Sequence, residues 1–584
     1  MKCLKNYPNI LFVEQVGKNR TFGIQDLCDD IIIMIFQLLN IPDKIKLERV
    51  CSQWRILLQR SWTRFSCLDL SVQKWSTERP MYYVKNGFVS WGQFDETKLK
   101  SVITRCYLYL ASIDFTADKS FVNKAFGNYA FKCSESCVLD IIGSSCVNLK
   151  IIRTKICCTK GLKCLANRIK TLESIFFMCL QNYDCAEVDR ILNELIQNNR
   201  NITSIRLNKV KSLRFVENAE HEFQEIDFFC VVNFVGDFEN ILVNLIKKST
   251  RSLKKISIKT YRLNLNKISY ALQSCSCLSK INIDVEKFVN TDINMCLSKI
   301  LSQSRNIKCL TIKPLSGESN IQVNQMHWLH CIDPTIFTKL DLAGSSYKLN
   351  NFPVLINLQS LSLKGVTSDN DAKTCESLGM CVNLMKLRMI KCNLSLKTSC
   401  NEYILKNFCK LKYLFIDRNK NSDLNENDLI KYVSANLHNL EQLVLGLNRL
   451  TDDGLKYLSN LKKLFSLSIY FSERITGNNL FRIRTLKEFE CFFCENLKDE
   501  SVNLLIDKVN KLKKLRIYHC SSITENIINY AIEKKSAQIS NQELLTISAS
   551  IDNTKANDYE RKYNKLELSL PDDFETISLS EYYV

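Results

Sequence analysis

The strongest constraint on the fold is an apolar pattern that recurs along the chain at a nearly constant period. In the C-terminal half the pattern L-x-x-L-x-L, with Ile, Met, Phe or Cys at some positions, starts every 22 to 29 residues. A period of this length indicates stacked structural units rather than independent globular domains. The pattern starts at Leu358, Leu384, Leu411, Leu440, Leu464, Leu486 and Leu512, and more degenerate copies fill the first half. The predicted opening repeats are Phe65-Leu68-Leu70 and Leu110-Ile113-Phe115.

Each repeat predicts a short strand and a helical return segment. The last two apolar positions of the motif are two residues apart, so they face the same side of a strand. Return segments such as 454–458 and 502–506 have helical spacing. One unit cannot cover its own apolar face, whereas stacking buries it, at roughly 1.5–3 kcal/mol for each large apolar side chain before entropy is subtracted. The sequence therefore predicts an α/β solenoid with parallel strands on its concave face and helices on its convex face.

The repeats resemble leucine-rich repeats, and specifically their cysteine-containing subclass. Three residues after the last strand position stands Cys392, Cys494 or Cys520, while Asn419 and Asn448 take this position elsewhere. An Ile-Thr or Leu-Thr pair follows in several repeats. We expect this position to hold a small buried residue that satisfies backbone groups where the strand ends.

Composition excludes several classes of protein. The 584 residues are 46% hydrophobic and 24% charged with few Gly and Pro, which is typical of a folded chain. No apolar run is long enough to span a membrane. The net charge of +19 is spread along the chain and does not indicate a specific nucleic-acid surface. The 27 cysteines are odd in number and follow no secretion signal, which predicts reduced, buried thiols in the cytoplasm or nucleus.

Residues 24–65 break the repeat and predict three short helices. They resemble the F-box, whose motif runs L-P-x-E-I-L-x-x-I-F-x-x-L, then a D-L-x-x-L region, then V-C-x-x-W. The motif proline is Cys28 here. The final part matches as Val50, Cys51, Ser52, Gln53 and Trp54, and the first part matches at Leu27, Asp30, Ile31, Ile32, Ile35, Phe36 and Leu39.

The resemblance implies a non-catalytic substrate receptor of a Skp–cullin–F-box ubiquitin ligase, acting in the cytoplasm, the nucleus or both. The F-box helices would bind a Skp-family adaptor and through it a cullin, and the repeats would hold a protein substrate for ubiquitination and proteasomal degradation. The residues that we expect to bind the adaptor are Leu27, Asp30, Ile31, Ile35, Phe36, Leu39, Val50 and Trp54.

A second interpretation is a protein-interaction scaffold without ligase function, whose N-terminal helices only cap the solenoid. A cap would bury Ile31, Ile35 and Trp54 against the first repeat, whereas a docking module leaves part of that surface open. The exposure of these side chains therefore distinguishes the two interpretations.

Substrate binding is predicted on the concave face, where the side chains between the strand leucines project. Aromatic and arginine side chains are preferred anchors of protein interfaces. Basic residues on earlier strands form either an ordinary solvated surface or a site for an acidic or phosphorylated segment, and the acidic stretch 570–584 is a candidate competitor. The predicted contacts are Arg388, Tyr413, Phe415, Tyr470, Phe492, Arg516 and Tyr518.

We expect an N-terminal extension at 1–22, the F-box at 23–64, a solenoid of about 16–18 irregular repeats at 65–569, and an acidic tail at 570–584. Residues 71–105 fit the repeat least and predict an insertion. No nucleotide-binding motif is present, and neither Cys491 with Cys494 nor His327 with His330 has the surroundings of a metal or redox site. The sequence therefore predicts no metal, no cofactor and no enzymatic activity.

Overall fold

The structure is a computed structural model, and its description is limited to part of the chain. The chain falls into two compact units, Met1–Lys248 and Ser249–Val584. The described residues are 23–39, 41–69, 83–85, 88–90, 96–114, 135–156, 159–179, 185–208, 212–217, 219–231, 238–289, 291–314, 326–344, 349, 352–367, 371–392, 405–417, 425–524, 526–537, 546–549 and 567–568.

The first unit begins with three helices and continues as strands that alternate with helices. Its helices are α1 (Asp29–Leu38), α2 (Ile41–Leu47), α3 (Ser52–Trp62), α4 (Glu96–Cys106), α5 (Glu135–Ser145), α6 (Thr159–Arg168), α7 (Cys185–Asn198), α8 (Arg214–Glu217) and α9 (Phe238–Lys248). Its strands are β1 (Cys67–Asp69), β2 (Tyr83–Lys85), β3 (Phe88–Ser90), β4 (Ser112–Asp114), β5 (Ile151–Ile156), β6 (Ser174–Cys179), β7 (Ser204–Asn208) and β8 (Glu225–Val231).

Within this unit, β1, β4, β5, β6, β7 and β8 pair in that order, and every pairing is parallel. Strands β2 and β3 instead form a separate antiparallel pair inside 71–105. The predicted opening repeats begin here, with Leu68 in β1 and Ile113 in β4 fully buried. The other two strand residues predicted for these repeats, Leu70 and Phe115, lie outside the described residues.

The second unit has the same alternation. Its helices are α10 (Leu265–Gln273), α11 (Ile293–Gln303), α12 (Asp371–Gly379), α13 (Glu426–Asn436), α14 (Asp452–Leu455), α15 (Asp499–Lys508) and α16 (Asn526–Ala537), with 3-10 helices at His327–Cys331, Lys456–Asn460 and Leu480–Arg482. Its strands are β9 (Lys255–Leu263), β10 (Lys280–Phe288), β11 (Cys309–Pro314), β12 (Lys339–Ala343), β13 (Ser360–Lys364), β14 (Lys386–Ile390), β15 (Tyr413–Asp417), β16 (Gln442–Gly446), β17 (Ser466–Tyr470), β18 (Glu488–Phe492), β19 (Lys514–Tyr518), β20 (Thr546–Ala549) and β21 (Glu567–Leu568).

Strands β9 to β21 pair in sequence order, in parallel and in register. The register brings equivalent motif positions together, so that Leu361, Leu387 and Leu414 form one buried row. This confirms the predicted α/β solenoid of parallel strands and helices. Residues between the motif positions project from the opposite side of the sheet, which we call the open face.

Side chains also tie each repeat to the one before it. Cys392 Sγ donates hydrogen bonds to the carbonyl oxygens of Leu363 (3.3 Å) and Ile390 (3.5 Å), and Ser472 at the same position donates to the carbonyl of Leu447 (2.7 Å). The expected role of this position is therefore seen at the exits of β14 and β17. The β16 repeat departs from the expectation, because the apolar Leu447 is buried there and Asn448 is exposed.

The Thr of the Ile-Thr pair makes a similar link. The backbone nitrogen of Thr476 donates to Asp452 Oδ2 (3.0 Å) and its hydroxyl to the same oxygen (2.6 Å). Two repeats later, the backbone nitrogen and the hydroxyl of Thr524 likewise donate to the carboxylate of Asp499. Because Asp452 and Asp499 are the first residues of α14 and α15, the carboxylates also lie at the positive ends of those helices.

The cysteines whose side chains are described are free thiols. Burial raises the pKa of Cys106 and of Cys146 to about 12, and that of Cys392 to about 11. Thiolates are the reactive form, so these residues act as small apolar side chains.

We therefore expect a brief alkylation of the native protein at about pH 8 to label the exposed Cys28, Cys277 and Cys409 first. Cys106 and Cys392 should react at least about a hundredfold more slowly, because a raised pKa lowers the thiolate fraction and burial excludes the reagent. Peptide mass spectrometry measures both rates, with denatured protein as the control. Equal native rates for the two groups would contradict the described burial.

Candidate functional site

Helix α1 has one apolar face in a core and a second apolar face in solvent. Ile32 and Phe36 are buried, as the four-residue spacing of a helix face requires. In contrast, Ile31 is 44% exposed, Met34 59% and Leu38 74%. These three follow i, i+3, i+7 spacing, so they form one stripe, which we call the α1 apolar face.

The core beneath this face is built by all three helices. Leu57 and Leu58 of α3 contact Ile32 and Phe36 of α1, and Leu39 completes the buried cluster. Partly buried Leu27, Ile33, Leu47 and Trp54 pack against it, with the rings of Trp54 and Phe36 edge to face at 5.4 Å between centroids. Aromatic pairs of this geometry contribute beyond their buried area.

The predicted adaptor-binding residues thus fall into three groups. Asp30, Ile31 and Val50 are exposed, whereas Phe36 and Leu39 lie in the core. The structure brings Phe36 and Leu39 together as packing residues that hold α1 in position. The third group is partly buried and consists of Leu27, Ile35 and Trp54. The sequence interpretation missed Met34 and Leu38, although their spacing from Ile31 was a usable signal.

Cys28 stands where the F-box motif has proline. It precedes α1 with φ −66° and ψ 154°, and its carbonyl accepts the hydrogen bond from the Ile32 nitrogen (3.2 Å). Proline fixes φ near −65°, so the backbone here has the conformation that proline imposes. Replacement by cysteine therefore leaves the start of α1 unchanged.

A buried carboxylate joins these helices to the segment that follows. Glu48 accepts a hydrogen bond from Trp62 Nε1 (2.9 Å) and forms an ion pair with Arg105 of α4 (2.7 Å). The ammonium of Lys44 lies 5.3 Å from the Trp62 ring centroid, and burial lowers the pKa of Lys44. We call Lys44, Glu48, Trp62 and Arg105 the Glu48 cluster. Sequence reasoning did not find it, because Glu48 and Arg105 are 57 positions apart.

Comparison with known protein families identifies this N-terminal segment. A model of the F-box domain matches residues 24–66. Residues 24–66 are an F-box domain. The predicted F-box is confirmed. An F-box domain implies binding to an adaptor of the Skp family. The match excludes the repeats, whose assignment rests on the register of the parallel strands.

Comparison with solved structures returns other proteins at low similarity. The Listeria monocytogenes 4b F2365 internalin InlF has 15% identity over 56% of this chain and 82% of its own, at a TM-score of 0.34. The TLR13–ssRNA13 complex has 15% identity over 79% of this chain and 71% of its own, at a TM-score of 0.34. The yeast Rad7–Elc1 complex has 13% identity over 66% of this chain and 81% of its own, at a TM-score of 0.33. At such TM-scores these similarities add nothing to the fold derived above. No curated protein sequence gives a significant match.

The open face of the late repeats has paired charges. The carboxylate of Glu490 contacts the Arg516 guanidinium (2.6 Å) and accepts a hydrogen bond from the Ser468 hydroxyl (2.9 Å). Glu488 pairs with Lys514 at 2.9 Å. The predicted substrate contact Arg516 is thus already bound to a neighbouring strand, so a ligand at this position would have to compete with Glu490.

Three of the predicted aromatic contacts form one stacked column, whereas Tyr413 and Phe415 lie in other register rows of the sheet. Tyr470 and Phe492 are 5.0 Å apart between ring centroids and nearly parallel, and Phe492 and Tyr518 are 5.1 Å apart. Phe492 and Tyr518 are buried, while Tyr470 is partly open. These rings therefore stabilise contacts between strands, and Tyr470 has the most accessible surface of the three.

A second aromatic row, missed by the sequence interpretation, lies one residue further along the same strands. Phe471, Phe493 and His519 stack at 4.8 and 4.6 Å, and all three have left-handed φ angles of 53° to 55°. Gly365, at the same position after β13, has φ 69° without a side chain. Bulky residues with positive φ are uncommon and cost energy, which marks this rim as a candidate interaction surface.

Earlier on the same face, Arg388 of β14 lies over the Phe415 ring of β15, with 5.2 Å from its guanidinium carbon to the ring centroid. Tyr413 pairs in register with Lys386, and burial raises the pKa of Tyr413. Phe415 is buried, whereas Arg388 and Tyr413 are partly open. The structure thus brings three predicted contacts together on β14 and β15.

Other kinds of site are not found in the described part of the chain. No group of three or more His, Cys, Asp or Glu side chains there is arranged to hold a metal ion. None of the helices described is long and apolar enough to cross a membrane. The acidic stretch 570–584 and Asn419 lie outside the described residues.

The Glu48 cluster gives a stability prediction. Glu48→Gln removes the charge that neutralises Arg105. Because Arg105 is 29% exposed, the cost lies between about 1 kcal/mol for a surface pair and about 3–5 kcal/mol for a fully buried one. We expect a clear fall in the denaturant midpoint of the first unit. The control is Glu173→Gln, which breaks an exposed pair with Lys150 and should cost no more than about 1 kcal/mol. Equal effects of the two substitutions would show that the cluster does not fasten α2 and α3 to α4.

Proposed function

We propose that this chain is the substrate-recognition subunit of a Skp–cullin–F-box ubiquitin ligase. The F-box domain binds the adaptor through the α1 apolar face, and the open face of the repeats holds a protein substrate. The observation that carries the proposal is the exposure of Ile31, Met34 and Leu38 on an F-box helix whose opposite face is buried.

The exposed side chains favour a docking module over a plain cap. Covering a large apolar side chain is worth roughly 1.5–3 kcal/mol, so a cap that left three such residues on one stripe in water would forgo several kcal/mol. Contiguous exposed apolar surface on a folded chain commonly marks a protein interface. The stripe of Ile31, Met34 and Leu38 has this character.

The scaffold interpretation retains one supporting observation. Through the Glu48 cluster, α2 and α3 contact α4, so part of the F-box covers the start of the following segment as a cap does. The two functions occupy different surfaces of the same helices.

In this proposal the protein makes no covalent bond itself. It raises the effective concentration of a substrate lysine near a ubiquitin-loaded enzyme that other subunits bring. The substrate is then ubiquitinated and degraded, and the chain acts in the cytoplasm, the nucleus or both.

The adaptor contact is tested by charging the α1 apolar face. Ile31→Lys with Leu38→Lys places two ammonium groups in the proposed interface while leaving Ile32 and Phe36 in the core. We expect co-purification with a Skp-family adaptor to fall by about a hundredfold or more, since each buried unpaired charge is costly.

The matched control is Met380→Lys, which charges an exposed apolar side chain of the second unit (47% exposed). This variant should bind the adaptor like the wild type. Circular dichroism establishes that all variants fold. Wild-type protein that fails to bind any Skp-family adaptor, or a doubly charged variant that binds it normally, would refute the proposed function.

A further inference from the structure

Four cations on the open face of β10 to β14 have no ion pair among the described residues. They are Lys280 on β10, Lys339 on β12, and Lys386 and Arg388 on β14. Lys280, Lys339 and Lys386 share one register row, with Cys309 and Ser360 between them on β11 and β13. Since strands lie about 4.8 Å apart, the three ammonium groups recur about every 10 Å across the sheet. We call these four residues the cationic row.

Carboxylates on the same strands are already paired with other cations. Asp284 of β10 pairs with Lys259 at 3.3 Å, and Asp341 of β12 pairs with Lys313 at 2.8 Å. These two carboxylates are therefore neutralised by lysines outside the cationic row. The positive charge of the row is therefore available to an anionic group of another molecule.

Arg388 gives this surface its sharpest feature. Its Nε is buried and has no hydrogen-bond partner among the described residues, while its guanidinium is held against the Phe415 ring. An unsatisfied buried donor destabilises the fold, and more so when it is charged. Lys386 lies two residues away on the same face of β14, so an anion bound to Arg388 would also be within reach of an ammonium group.

The late repeats provide the contrast. Lys514 and Arg516 occupy the same register rows as Lys386 and Arg388, but they pair with Glu488 and Glu490. The open face therefore changes from a cationic half on β10 to β14 to a charge-paired, aromatic half on β17 to β19. An anionic partner gains more at the first half, where no internal pair must be broken.

We propose that the cationic row receives an acidic segment of the protein substrate, which lies across β10 to β14 with a carboxylate on Arg388. This inference rests on the proposed substrate-receptor function and names the chemistry of the bound segment. An extended segment advances about 3.3 Å per residue, so acidic residues about three positions apart match the spacing of the row. A run of Asp and Glu residues suits cations spread over four strand intervals better than one phosphate, which needs donors converging on a point.

The test uses the full chain and a fluorescent peptide of about eight residues rich in Glu and Ser, which is long enough to cover the row. Fluorescence anisotropy measures its affinity for the wild type, for Arg388→Gln with Lys386→Gln, and for Arg388→Lys. We expect the double variant to weaken binding by at least about tenfold and Arg388→Lys to weaken it by a smaller factor, because lysine keeps the charge but lacks Nε.

The charge-matched control is Lys431→Gln with Lys462→Gln, which removes two exposed lysines from outside the sheet. Its affinity should stay within about twofold of the wild type if binding is local rather than set by net charge. A peptide with Gln in place of Glu should not bind. Thermal unfolding of each variant shows whether a loss of affinity reflects a loss of fold.

A wild-type chain that binds the Skp-family adaptor but not the Glu peptide would overturn this inference and leave the proposed function intact. Equal losses in the row variant and the charge-matched control would also overturn it. A phosphoserine peptide that binds more than about tenfold tighter than the Glu peptide would overturn the assignment to carboxylates. Failure of adaptor binding, with Glu-peptide binding retained and Arg388-dependent, would instead refute the ligase function alone.

Discussion

The structure depends on the burial of each repeat's apolar residues between its neighbours. A strand of five residues such as β13 or β14 buries its second and fourth side chains against the helical layer, and no repeat can complete that layer alone. In-register parallel pairing then aligns every intervening side chain into rows on the open face. The hydrophobic contacts thus fix the positions of residues that take no part in them. These include the charged side chains of the cationic row and the aromatic side chains of the late repeats.

The polar links between repeats show how such a stack tolerates irregular sequence. Cys392 and Ser472 perform the same task with different chemistry, since both donate to carbonyls at a strand exit. At β16 an apolar Leu447 fills the interior instead. A small donor three residues after the last strand position and an apolar side chain two residues after it are thus alternative ways to fill the interior at a strand exit, which explains why the motif degenerates without loss of the fold.

The two candidate surfaces represent different physical strategies. The α1 apolar face is uncharged, and Ile31 and Leu38 gain by leaving water, so its partner needs shape and apolar area. The cationic row presents Lys386 and Arg388, which form no ion pair among the described residues, so its partner needs negative charge. The late repeats offer neither kind of surface fully. Glu490 neutralises Arg516, and the aromatic rings of Phe492 and Tyr518 pack against each other.

The amino-acid sequence by itself determined the repeat, the α/β class and the F-box segment, because these follow from the periodicity of apolar residues and from a local motif. It also indicated Ile31 as a surface contact and placed Arg388, Tyr413 and Phe415 on one face. Only the tertiary structure decided which of these side chains are available. Phe36 is buried and Leu38 is exposed, and Glu48 contacts Arg105 across a long separation in sequence. Among the described residues, Arg516 forms an ion pair with Glu490, whereas Arg388 forms none. These outcomes depend on which residues the stacked strands and helices bring within contact distance, and spacing along a single chain does not specify those distances.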